Sequence, residues 1–194
     1  MYLLRSLLLA VMLLFSAKGF SQKLKYSIRL NDEVVGNMTA ERTNKAKSTI
    51  TINSFIAIEK FIKIELKYFM ESVYEKGKLL TSRTIQKFNG QEQANSSTIF
   101  DKDGYKVTTR QGTSRVNLKS IQHNLCRLYF EEPTGVQEVW SDTFGKMLTI
   151  RPAGKNKYEL QLPDGKSNFY SYHKGICTYV ETETPVGKVT FQLS

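Results

Sequence analysis

The sequence predicts an all-β, mainly antiparallel fold: a curved meander sheet forming a barrel or half-barrel, with one short helix near residues 120–130. Three observations carry this. From Leu24 onward apolar and polar residues alternate with period two through segment after segment. Turn residues punctuate those segments at short intervals, with Asn89-Gly90 the strongest hairpin signal. The alternation breaks at one place, Ser120 to Gly135 (SIQHNLCRLYFEEPTG), which separates an N-terminal run of hairpins from a C-terminal run.

Taken in order, Leu24–Leu30 and Val34–Arg42 are predicted strands joined at Asn31-Asp32, and Lys47–Ser54 alternates Ile50 and Ile52 against Thr49, Thr51 and Asn53. The longest predicted strand follows. Ile56, Ile58, Ile62, Ile64, Leu66, Tyr68 and Met70 share one parity, broken by Lys60, and a bend is placed near Glu59-Lys60. Phe55, Ile58, Ile62 and Leu66 also share a helical face, but β-branched and aromatic residues dominate and no cap is visible. Leu79–Phe88, Glu92–Phe100 and Tyr105–Arg110 come next, separated by Asn89-Gly90 and Asp101–Gly104. Ser120 is placed to cap a helix, and Ile121, Leu125, Leu128 and Tyr129 recur at helical spacing until Pro133 halts them. Six more strands follow: Val136–Trp140, Lys146–Arg151, Lys157–Leu162, Asn168–His173, Ile176–Glu183 and Lys188–Leu193. Closing or half-closing such a meander hides its edges.

Met1–Ser21 has the composition of a signal peptide: Arg5 in the n-region, an apolar Leu7–Phe15, and small residues Gly19 and Ser21 before a cut at Gln22. Cutting after Gly19, with Ala17 at −3, is the alternative, and an uncleaved anchor is the rival reading, although the apolar run is short for a membrane span. Export to the periplasm or beyond is therefore expected, with no transmembrane segment in the mature chain and a single domain over 22–194. That leaves about 173 residues, enough for one real core. The 28 Lys and Arg, less Arg5 and Lys18, against 18 Asp and Glu give the mature chain a net charge of +8. Such a balance favours anionic partners. No basic run occurs, the lysines alternate along strands as on a solvated sheet face, and an exported protein is an unsuitable partner for nucleic acid.

The motifs LYFEEP (128–133), PDG (163–165) and NFYSY (168–172), followed by a glycine and two terminal strands, resemble those of a Bacteroidetes family of small secreted β-proteins of unknown function. More distantly the chain is similar to periplasmic half-barrel domains of unknown function, related in shape to lipoprotein-carrier folds. The resemblance implies a periplasmic barrel-like fold and carries over no catalytic residue.

Cys126 and Cys177 form an even pair in an oxidising compartment and are a candidate disulfide, which would tie the central stretch to the C-terminal hairpins. With His123 and His173 they also offer two Cys and two His for zinc. The spacing is no recognised zinc pattern, and on a straight strand His173 and Cys177 would stand about 13 Å apart. No metal or other cofactor is expected. Glu131, Glu132 and Asp142 are the carboxylates that glycoside chemistry would need, although adjacent glutamates before a proline more often form a charged corner. Nucleophile elbow, phosphate loop and dinucleotide fingerprint are all missing, so no catalytic residue is assigned. The aromatics Trp140, Tyr158, Phe169, Tyr170, Tyr172 and Tyr179 on successive C-terminal strands have two readings: core with cross-strand pairs, or the lining of a ligand cavity. The function expected is non-catalytic binding of a lipid-like or anionic amphiphile in the concave face. An envelope protein-interaction module is the alternative, and a glycan hydrolase a third.

Overall fold

The computed structural model describes residues 20–59, 63–184 and 187–194. Most of the leader, and with it the predicted cleavage region up to Gly19, lies outside the described residues. The strands are β1 (Phe20–Leu30), β2 (Glu33–Asn44), β3 (Ser48–Glu59), β4 (Lys63–Glu75), β5 (Lys78–Phe88), β6 (Gln91–Asp101), β7 (Gly104–Thr109), β8 (Gly112–Val116), β9 (Glu138–Ser141), β10 (Lys146–Gly154), β11 (Lys157–Gln161), β12 (Ser167–His173), β13 (Ile176–Thr184) and β14 (Gly187–Leu193).

They form one 14-stranded sheet in the order β8-β7-β6-β5-β4-β3-β2-β1-β14-β13-β12-β11-β10-β9. Each neighbouring pair of strands is antiparallel, and the one non-sequential join is β1 with β14, through Tyr26↔Leu193 to Leu30↔Val189. β8 and β9 are the two edges and do not pair with each other, so the sheet stays open.

Alternation puts one side of each strand inside. Tyr26, Ile28, Met38, Ala40, Ile50, Ile52, Met70, Tyr74 and Leu79 form the core under β1–β5. Val139, Leu148, Ile150, Leu160, Tyr170, Tyr172 and Val180 form a second core under β9–β13. Residues 121–130 are wedged between the two: Ile121, Cys126 and Phe130 belong to the first, Leu128 to the second.

Two elements differ from expectation. The predicted helix near 120–130 is a single 3-10 turn, Arg127–Tyr129, and Ser120 caps nothing. Backbone groups that would close helical turns are spent on the sheet instead. The Leu79 N–H donates to the Ile121 carbonyl, Trp140 N–H to His123, and Leu125 N–H to Trp140, with a parallel bridge at Asn124↔Trp140. The segment thus covers the β9 edge, which outweighs local helical preference.

The predicted long strand around Ile56–Met70 is two strands, β3 and β4, paired antiparallel as far as Glu59↔Lys63. The reason it read as one is arithmetic. Every pair in this register, from Ile58↔Ile64 to Ser48↔Tyr74, joins residues of the same parity, and facing residues share a side of the sheet. The even-numbered apolar series therefore keeps its face through the reversal.

Candidate functional site

The site is built from the inner face of β5 and β6. Asn89 and Gly90 (φ 47° and 79°) turn the chain, and Ser82↔Thr98, Thr84↔Ser96 and Gln86↔Ala94 lie opposite one another. With Ser72 on β4, the buried part of this face is a set of small hydroxyls: Ser72, Ser82, Thr84, Ser96 and Thr98 are at most 4% exposed.

These hydroxyls receive β9, which folds over them. Asp142 follows β9 directly and is 2% exposed. Its Oδ1 accepts from Ser82 Oγ, from Thr98 Oγ1 at 2.6 Å and from Trp140 Nε1 at 3.0 Å, and the Asn124 amide lies near enough to favour its charged form. Trp140 Nε1 also donates to Thr98 Oγ1 at 2.9 Å. Asn124 in turn accepts from the Tyr74 hydroxyl at 2.8 Å and donates to Ser72 Oγ at 2.7 Å. The open sheet is thus fastened across its interior by side chains rather than by strand pairing. Burial raises the Asp142 pKa, only partly offset by these donors.

Beyond the hydroxyls the same face opens into a groove of about 690 Å³. Gln86, Phe88, Ala94 and Ser96 line one wall, and Thr143, Phe144 and Lys146 of the β9–β10 turn the other. Arg110 stands at the β7–β8 turn and Pro163 at the β11–β12 turn. Phe88 and Phe144 are 41% and 44% exposed. Tyr68 and Thr143 hydroxyls meet at 3.3 Å. Gly145 holds the turn against β7: at φ 62°, a Cβ there would meet Thr109 Cγ2 at 3.0 Å and Val107 Cγ1 at 3.1 Å.

The six predicted aromatics are placed elsewhere. Trp140, Tyr158, Tyr170 and Tyr172 are buried. Tyr158 packs edge-on to Tyr172 at 5.6 Å, and Tyr129 bridges Tyr26 and Tyr170 at 5.6 and 6.3 Å. Their hydroxyls are spent internally: Tyr172 donates to the Leu128 carbonyl at 2.9 Å and Tyr158 to Glu132 at 3.1 Å. Phe169 lies half-buried beneath Lys157 Nζ at 4.7 Å, and Tyr179 is half-buried near Glu181. None of the six lines the groove.

The predicted disulfide is not formed; Cys126 and Cys177 are both free and buried. They sit in different cores, Cys126 beside Ser72 and Cys177 with its Sγ 3.6 Å from the Tyr179 carbonyl. Burial pushes both thiols up to about 12. Among the described residues no group of three or more His, Cys, Asp or Glu is placed to hold a metal. The carboxylates are separately committed. Glu131 pairs with Arg42 at 2.7 Å and Arg127 at 2.6 Å, Glu132 accepts from Tyr158, and Asp142 belongs to the interior network.

A family model described as a domain of unknown function, DUF6134, matches residues 26–194. The chain belongs to this family. The DUF6134 domain is similar in fold to the β-barrel-like protein of domain of unknown function DUF1849 from Brucella abortus, with a TM-score of 0.52 at 9% sequence identity, covering 92% of this chain and 98% of that one. No curated protein matches. Among the described residues of the DUF6134 domain no helix is long and apolar enough to cross a membrane.

Sequence reasoning missed the groove because its wall reads as a solvent face. Ser82 and Thr84 alternate with Arg83, and Ser96 and Thr98 with Asn95 and Ser97. One signal could have found it: counting back from Asn89-Gly90 sets these hydroxyls side by side across the hairpin, within the shift made by the bulge at Gln86/Lys87.

Proposed function

We propose that the protein is exported and binds, without catalysis, an amphiphilic lipid-like molecule with an anionic group in the groove between β5–β6 and the β9–β10 turn. The observation that carries this is the pairing of two exposed rings with two cations in one concavity: Phe88 and Phe144 beside Arg110 and Lys146. Neither cation has an acidic partner among the described residues. Fully burying a phenylalanine side chain gains roughly 1.5–3 kcal/mol, so covering the exposed two-fifths of these two rings supplies about 1–2.5 kcal/mol together. The cations orient the head group, and Gln86, Gln93 and Gln111 add amides at the rim. The leader-like Met1–Ser21 and the Bacteroidetes-like motifs support export to the periplasm. Ligand binding at the six C-terminal aromatics has less support, since four are packed on other side chains.

The test uses the full mature chain and 1-anilinonaphthalene-8-sulfonate, whose rings and sulfonate match the groove. Wild type should enhance its fluorescence. Phe88→Ser with Phe144→Ser should weaken binding about tenfold or more while leaving the melting temperature unchanged, because both rings are exposed. Equal binding by the double variant would sink the proposal. A second reading, an envelope interaction module, draws on β8: its edge is unpaired and Gly112–Arg115 are exposed, although five residues make a short template.

A further inference from the structure

At the rim opposite the groove, the β2–β3 and β4–β5 turns enclose a second pocket of about 200 Å³. The two pockets lie at opposite ends of the sheet, because one takes the C-terminal end of β5 and the other the turn that enters it. Arg42, Lys45, Lys76 and Arg127 all line this pocket, with Ser48 beside them, and no acidic residue does.

We infer that it is a binding site for an oxyanion of the phosphate class. Four cations arrive from four separate stretches: the end of β2, the two turns and the 3-10 segment. The nearest carboxylate, Glu131, is bonded on both oxygens, Oε1 to Arg42 and Oε2 to Arg127. The Gln122 carbonyl takes Arg127 Nη1 at 2.6 Å, and Arg127 stacks over the Tyr74 ring at 5.2 Å. These contacts hold the two guanidinium groups at the back of the pocket while one negative charge offsets only one of the four positive ones. Neighbouring Glu75 pairs with Lys47 at 3.8 Å, so it leaves Lys45 and Lys76 without an acidic partner among the described residues. Two free ammonium groups facing two pre-positioned guanidiniums is an arrangement suited to a compact, multiply charged anion. The volume, less than a third of the groove's, admits a phosphate or a small phosphomonoester, and this sets it apart from the larger, aromatic groove.

Inorganic phosphate, a soluble phosphomonoester and a phosphatidate head group share this chemistry, and the experiment separates them. Titration calorimetry of the mature chain at low ionic strength would use inorganic phosphate and glycerol phosphate. Sedimentation would use phosphatidylcholine vesicles with and without phosphatidate. Wild type should bind at least one, and Lys45→Gln with Lys76→Gln should weaken that binding about tenfold or more. Both lysines are exposed, so the variant should keep its melting temperature. Lys102→Gln with Lys174→Gln, which removes the same charge from other turns, should bind like wild type. Binding of the soluble anions assigns a soluble ligand; binding only to phosphatidate vesicles assigns a membrane head group. The inference is overturned if no probe binds, if chloride at matched ionic strength reproduces the effect, or if the two double variants behave alike. Groove binding of the sulfonate dye should be the same in both, so the two proposals fail separately.

Discussion

Asp142 gathers three donors on one oxygen in a site that water does not reach, and this has a measurable consequence. Its pKa is raised in the folded chain by burial, while the unfolded chain carries an ordinary aspartate near pH 3.9. The folded state therefore holds the proton more tightly. Stability from this group is full below about pH 4 and is lost as pH rises through the folded pKa, at about 1.4 kcal/mol per pH unit inside that window. Asp142→Asn keeps the accepting oxygen and removes the titration, so urea unfolding at several pH values should show wild type losing ground to the variant as pH rises. A constant difference would mean that Asp142 titrates in the fold as it does in the unfolded chain. Glu131 has the opposite sense: Arg127 and Arg42 overcome its burial and hold its pKa below the usual value. Its contribution is lost as pH falls, identically in both proteins, and so cancels from the comparison.

Among the elements, most strands were legible because period-two alternation and turn chemistry agree. Asn31-Asp32, Asn89-Gly90 and Lys174-Gly175 all take positive φ where the sequence placed turns. β8 went unseen: its residues Gly112–Arg115 are exposed and show no apolar alternation. The β3–β4 reversal was invisible because parity is preserved and no Gly, Pro, Asn or Asp occurs between Glu59 and Lys63. On its other side β3 makes a tight approach to β2. A Cβ on Gly36 of β2 would lie 2.1 Å from the Phe55 carbonyl oxygen on β3. Gly36→Ala must therefore separate two long strands locally, and should cost about 1–3 kcal/mol in thermal or urea unfolding. A neutral effect would show that β2 and β3 can part there freely. The 120–135 segment was recognised as exceptional, but its contacts are with distant strands, and helical spacing alone could not reveal them.

For the whole molecule, the curved open sheet was legible and the site was not. The outer face of β3–β5 presents Phe55, Phe69 and Ile85 while the inner face of β5–β6 presents buried hydroxyls, an inversion that only the Asp142 network explains. The two cysteines were misjudged for a similar reason: the compartment argued for a bond, but the topology put them in separate cores. One join sets the order of events. Ser27 meets Gln192 across 165 positions of chain, while β2 through β8 and β10 through β14 each pair with a strand next to them in sequence. Closing so long a loop costs on the order of 4–5 kcal/mol. During synthesis β1 must wait, with one side unoccupied, until β14 has been made. Joining Ser194 to Gln22 by a short linker, with new ends opened at Lys119-Ser120 between the edges β8 and β9, would make that contact local without parting a paired hairpin. Such a permuted chain should refold faster than the natural order in stopped-flow experiments, and an unchanged rate would show that β1–β14 pairing is not the slow step.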